Sequence, residues 1–493
     1  MEANGRCAGN FLLCVEVTWL VIRLNYERLL AFSTLFGLAA ACLFAPAATE
    51  SMRSPAAGAT AVSQPSAAPC SPLPPPTGPT ITVTTEADLR YQAQHAAPGT
   101  TILVAPGTYN LQDAVYVTVN NLTIRGATGN RGDVILDGGG MLTWTHTHII
   151  AIFADDVTIA DLTLRNGDEH GVSVNGSDRP ILYNLHILDT GYQLVKVNPV
   201  GDGSEDGLLA CSRLEYTTTS PEDYTHGISA HNAHRWTVRD NEWRRIRTPN
   251  QVPAPAILFW SGSSDTIVER NLLVDCYQGI AFGNASHDAG DHTGGIVRNN
   301  MIYASLPHDS VIEMVHASGW LVAHNTALLL NPDGGLTWGM EARFSDSSGT
   351  FAYNLTNMDI WLDRDGATGS GVGNVTDAQS DWFVAAADLH LAAGTTAVID
   401  QAAPLAAVPD DYDGFPRPYG PAPDIGADEY VPPFIPSHFL YLPWGGGGGG
   451  GGGGGTPLHP RPVITALKAQ GTLPHMVQIS KRSAPAFFGM KGA

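Results

Sequence analysis

The sequence predicts an all-β solenoid over residues 80–430, and three observations carry that expectation. Short strand-like phrases end in asparagine at similar places: ILYN (Asn184), TVRDN (Asn241), IVERN (Asn271), IVRNN (Asn300), LVAHN (Asn325), FAYN (Asn354) and GVGN (Asn374). From Asn241 the steps are 30, 29, 25, 29 and 20 residues, a period that marks stacked coils. A second strand set lies between these phrases: GVSVNG, LVKVNP, GISAHN, AILFWSG, GIAFGN, VIEMVH, GMEARFS and DIWLDRD. One such coil cannot bury its own apolar face, so neighbours stack at about 4.8 Å per rung. The asparagines are expected where a turn needs left-handed backbone and where stacked amides bond along the axis, a structural role and not a catalytic one.

The other elements follow in chain order. Arg23 and Arg28 precede the apolar run LLAFSTLFGLAAACLFAPA, which ends in small residues and reads as an export signal over 1–47, cleaved after Ala47; residues 1–22 lie upstream of it. Cys42 within AAAC faintly resembles a lipoprotein box. Residues 48–79, rich in Pro, Ala and Ser, read as a disordered linker. The coils then run to residue 430. Beyond FLYLPW come eleven glycines, Gly445 to Gly455, and 38 residues without Asp or Glu, so 431–493 reads as a disordered tail.

Charge narrows the partners. The 493-residue chain carries a net charge of −21, and residues 80–455 hold 43 of its 47 acidic residues against 17 of its 26 basic ones. That surface argues against nucleic acid and against insertion of the mature domain into a membrane. Only Cys211 and Cys276 of the six cysteines lie in the coils; without a CxxC or zinc spacing they read as two buried free thiols.

These phrases resemble the pectin-lyase-like right-handed parallel β-helix proteins. The opening stretch ITVTTEADLRYQAQHAAPGTTILVAPGTYN looks like that superfamily's capping helix and first strands, and DDYDGFPRPYGPAPDIGADEY resembles the DIGADE-type ending of secreted bacterial β-helix proteins. The resemblance implies a right-handed parallel β-helix of about ten coils with an N-terminal capping helix, secreted or at the cell surface, with a polysaccharide as partner and a monomeric state. It does not fix an activity, because the superfamily holds lyases, hydrolases, epimerases and binders.

Strand alternation sorts the second strand set into two faces. Val172/Val174, Val195/Val197, Ile228/Ala230, Ile257/Phe259, Ile280/Phe282, Ile312/Met314, Met340/Ala342 and Ile360/Leu362 point inward. The outward set is then Ser173/Asn175, Lys196/Asn198, Ser229/His231, Leu258/Trp260, Ala281/Gly283, Glu313/Val315, Glu341/Arg343 and Trp361/Asp363. A slip of one residue would bury charge, which pins the register.

Lys196 is the only lysine between Thr80 and Gly455. It is expected to be an outward, functional cation beside Asn198, which would contact substrate, and either Lys196, with its pKa lowered, or His231 would take a proton beside a uronate carboxyl. Glu313 and Glu341 stand on adjacent rungs, a spacing that suits the paired carboxylates of a retaining glycosidase or a cation site. Arg343 is a further catalytic candidate beside Glu341, able also to pair with it or with Asp363, and Asp363 would bind substrate. Trp260 and Trp361 offer flat rings to sugars. Four rungs, about 19 Å, separate Lys196 from Glu313, so they would line one groove and not form one pair. The related chondroitinase and alginate lyases pair a lysine base with an arginine and bind calcium, whereas Lys196 here comes four rungs before Arg343. Asp411, Asp413 and Asp424 are weak calcium candidates in the closing segment. The expected function is polysaccharide cleavage by a lyase or a glycoside hydrolase, with a non-catalytic glycan-binding or adhesin-like solenoid as the alternative.

Overall fold

A computed structural model describes residues 70–143, 147–287, 289–330 and 338–432. The expected signal, most of the linker and the glycine-rich tail lie outside them. Among the described residues no helix is long and apolar enough to cross a membrane.

Three long sheets of parallel strands wind into a right-handed parallel β-helix. The sheet that carries the outward residues has ten strands. In stacking order they are Val115–Val117, His148–Ile152, His170–Asn175, Val195–Asn198, Ile228–His231, Pro255–Trp260, Gln278–Phe282, Ser310–Val315, Trp338–Arg343 and Ile360–Arg364. A short helix, Glu86–His95, lies at the N-terminal end; Thr85 caps it by accepting from the Asp88 amide, and Leu89 and Ala93 are its buried residues.

The predicted faces are the observed ones. Val172 through Ala342 of the inward set are fully buried in one continuous core, with Ile360 and Leu362 packed against it at the last rung. Register aligns Lys196 with Ser229, Ser229 with Leu258, Leu258 with Ala281, Ala281 with Glu313 and Glu313 with Glu341.

Asn241, Asn271, Asn300, Asn325, Asn354 and Asn374 form one line at the turn between the other two sheets. Each side-chain amide donates to the next Oδ1, at 3.1, 2.9, 2.9, 3.0 and 2.9 Å in order. The left-handed backbone falls one residue earlier than expected, at Asp240, Arg270, Asn299, His324 and Tyr353. Asn184 occupies that earlier position itself (φ 49°) and stands outside the line, bonding Asp161 and the Gly129 carbonyl.

Two expectations fail in the same place. Cys211 is not a free thiol: it is bridged to Cys70, 141 residues away, and Cys276 is the buried free one. The end of the expected linker is held against the wall. Tyr183 donates to the Ser71 carbonyl at 2.5 Å, Arg125 to that of Pro74 at 2.9 Å, and Leu73 packs on Ala160, Tyr183 and Ala210. A single sequence shows two cysteines in different composition zones and gives no sign that they meet.

The closing segment is a cap with a buried pair at its centre. The side chains of Arg417 and Glu429, each 1% exposed, approach to 2.6 Å, and Arg417 also donates to the carbonyls of Asp410, Asp424 and Gly426. Asp411 accepts from the amides of Phe415 and Glu429, and Asp424 from those of Asp400 and Tyr430. Both oxygens of Asp411 and of Asp424 thus accept from backbone amides, and their carboxylates hold turns.

Candidate functional site

The outward face is less open than strand alternation alone suggests. Ser173, Ser229, Leu258, Ala281 and Val315 are buried, and the face divides into two centres.

The first centre surrounds Lys196, which leaves the sheet on the outward face as expected but is only 6% exposed. The segment between the Val195–Asn198 and Ile228–His231 strands brings Tyr224 over it. Lys196 Nζ lies 2.6 Å from His231 Nε2, 3.2 Å from the Tyr224 hydroxyl and 3.4 Å from Ser229 Oγ. Burial lowers the ammonium from its ordinary value to about 7. Burial, with Lys196 close by, drives His231 down to about 3, so its imidazole is neutral and offers Lys196 a lone pair. Trp260 is not an open platform: it is 8% exposed, lies between the His231 and His287 rings and donates Nε1–H to Ser229. Asn198 spends its amide on Ser173 and Asn175. An edge row of rings, His170, Tyr192, Tyr224 and His226, runs past the lysine with centroids 5.6–6.2 Å apart.

The second centre is a cavity of about 270 Å³ lined by Leu258, Gln278, Asp309, Glu313, Trp338, Glu341, Arg343 and Arg364, among others. Glu313 and Glu341 are Cα partners on adjacent strands, so their side chains leave the sheet in the same direction. Gln278 donates to Glu313 Oε2 at 2.7 Å and Arg343 to Oε1 at 3.1 Å. Glu341 is deeper, 1% exposed, with Oε2 held by Arg364. Burial and then the neighbouring Glu313 push the Glu341 carboxyl up to about 7. The same two causes push Asp309 up to about 6.

Three residues here depart from expectation. Arg343 pairs with Glu313 and, at 2.9 Å, with Asp365, and not with Glu341 or Asp363. An irregularity between Glu341 and Arg343 matches Arg343 with Arg364, so Asp363 slips out of the row and is exposed. Arg364, which the simple alternation placed inward, therefore faces the cavity and stacks 4.0 Å over the Trp338 ring. Trp361 remains open at 42% exposure, edge-on to Trp338. Asp309, Gln278 and Trp338 were missed because they sit at the strand entries, outside the alternation that picked the other residues.

No known family and no curated protein matches the chain. Among solved structures it is similar to an alginate lyase from Paenibacillus sp. str. FPU-7 at 19% identity and a TM-score of 0.45, over 60% of this chain and 99% of that one. It is also similar to the pectate lyase Pel9A at 11% identity and 0.44, over 69% and 90%. The tailspike protein of E. coli bacteriophage HK620, solved with a pentasaccharide, is similar at 14% and 0.45, over 61% of each chain. These are likenesses of fold.

Proposed function

We propose that the protein hydrolyses a polysaccharide in the Glu313–Glu341 cavity. The observation that carries this reading is two register-paired glutamates lining one cavity, one of them pushed up to about 7. Adjacent rungs hold carboxylates about 5 Å apart, the spacing of a retaining mechanism. Glu313 attacks the anomeric carbon while Glu341 donates a proton to the leaving oxygen from Oε1, the oxygen that Arg364 does not hold. Water then releases the glycosyl–enzyme ester, with Glu341 acting as base. Arg343 and Gln278 orient Glu313; Trp361 offers an open ring for a sugar face.

A second reading rests on the first centre. Lys196, lowered to about 7 and 2.6 Å from a neutral imidazole, has the character of a base for eliminative cleavage of a uronate polymer. Secretion is part of both readings, and the Cys70–Cys211 bridge supports an oxidising compartment.

A panel of polysaccharides separates the readings, with and without added calcium. Hydrolysis releases reducing ends without ultraviolet absorbance from an unsaturated product, and Glu313→Gln abolishes it. Unsaturated product that depends on Lys196 would move the activity to the first centre. Retained glycan binding with neither product would make the protein a binder.

A further inference from the structure

The C-terminal cap holds a second cluster that the cavity chemistry does not use. One donor atom each from His390, Asp413 and Asp428 lie within 4.8 Å of one another. They come from three separate stretches: the Asp388–Leu391 strand, the turn after Asp411 and the end of the closing segment. Asp413 and Asp428 are 8% and 2% exposed.

The imidazole is oriented. Asp388 Oδ1 lies 2.5 Å from His390 Nδ1, a partner that orients the ring and turns Nε2 inward, toward Asp413. His390 Nε2 is itself shut off from solvent and has no partner in hydrogen-bond geometry; Asp413 Oδ2 stands 3.2 Å away. The contact between Nε2 and the carboxylate oxygens calls for positive charge between them, supplied either by a ring proton or by a bound cation. Ligands about 2.0–2.2 Å from a tetrahedral ion stand about 3.3–3.5 Å apart, close to the separation seen here. Asp428 has already given Oδ2 to the Leu391 amide, at 2.7 Å, which fixes its carboxylate and leaves Oδ1 for the ion.

We propose that His390, Asp413 and Asp428 bind one divalent transition-metal ion, with Asp388 holding the histidine in the ligating tautomer. A nitrogen donor favours Zn²⁺ or Mn²⁺ over Ca²⁺, which takes oxygen. The ion ties the three stretches together and so clips the cap. That cap's apolar side, including Leu389, Leu391, Ile425 and Ala427, packs with Leu328 and Leu355 of the coils. None of these ligands lines the cavity, so this site stands or falls apart from the hydrolytic reading.

The test uses the untagged chain stripped with chelator, then offered Zn²⁺, Mn²⁺ or Ca²⁺ alone and desalted. About one Zn²⁺ or Mn²⁺ per chain is expected to remain, with a raised Tm. Asp413→Asn and His390→Gln are each expected to lower affinity at least tenfold, and Asp388→Asn about tenfold with unchanged stoichiometry. Bound Co²⁺ should give visible d–d bands that change in His390→Gln. If that variant does not fold, Asp413→Asn and the Co²⁺ spectrum decide. Wild type that keeps no metal and shows no Tm shift would overturn the site, leaving a proton shared by ring and carboxylate. Equal retention in wild type and both variants would overturn it as well, as would a Tm response to Ca²⁺ alone.

Discussion

The two centres on the outward face start from equivalent strand positions and end with opposite chemistry. Lys196 and Glu313 occupy the same column of the sheet, four rungs apart. At the lysine end the neighbours are short or aromatic: Ser229 leaves room beside the ammonium, and Tyr224 covers it. Among the described residues no carboxylate pairs with it, and burial lowers the lysine. At the glutamate end Arg343 and Arg364 compensate two carboxylates, and the strand entries stand back to leave a cavity. The same burial that weakens a lone base at one end raises an acid at the other. The difference teaches that strand alternation chooses which way a side chain points, whereas the segments between strands choose whether it meets water, a lid or a substrate.

The largest effect should separate the two ends outright. Glu341→Gln and Glu313→Gln are each expected to cut the rate of reducing-end release by about 10²–10⁴-fold with the fold retained. The wild-type rate should fall above pH about 7, as Glu341 loses its proton, and this limb should vanish in Glu341→Gln. A wild-type profile flat from pH 5 to 9 would show that Glu341 is not the acid.

Trp361→Ala comes next. Losing one exposed stacking ring should raise KM about tenfold and leave kcat nearly unchanged, read from initial rates on a defined oligosaccharide. At the other end, Tyr224→Ala should admit water to Lys196 and raise its pKa toward the ordinary value. Mass spectrometry of an amine-reactive label at fixed pH then reports the changed protonation and access; a variant labelled like wild type would mean that Tyr224 is no lid.

Lys196→Met should give the smallest change in hydrolysis, less than twofold, because the two centres are four rungs apart. A tenfold loss would make the whole face one site. Its signature lies in stability. The folded lysine titrates near 7 and the unfolded one near its ordinary 10.5, so between those values only the unfolded chain holds the proton. Wild-type stability should therefore rise with pH across that window relative to Lys196→Met, by about 1.4 kcal/mol per pH unit at most. Denaturant unfolding at pH 7 and pH 9.5 checks the sign.

Much of this is legible in the sequence. The asparagine phrases foretold the amide line, and the inward set from Val172 to Ala342 foretold the core, because stacked rungs repeat one local rule many times. The carboxylate pair was legible for the same reason, since Glu313 and Glu341 follow that rule. What was hidden depends on residues meeting across long separations or across an irregular rung. Tyr224 reaches back 28 residues to Lys196, Cys70 reaches 141 to Cys211, and one extra residue turns Arg364 outward in place of Asp363. Trp260 was expected to stack on sugars and instead packs between two histidine rings, because outward is not the same as exposed.

The Cys70–Cys211 bridge also decides how the molecule carries load. Strand Thr80–Val83 lies at the end of its sheet, where tension applied through residue 80 would peel one strand at a time. The bridge diverts that tension. A pull on the chain ahead of Cys70 enters sideways, at the residue after the Leu208–Ala210 strand, midway along the stack, and bypasses Ser71 to Pro79. Strands on both sides of that point must then shear together, so the solenoid resists as a block until the bridge is reduced.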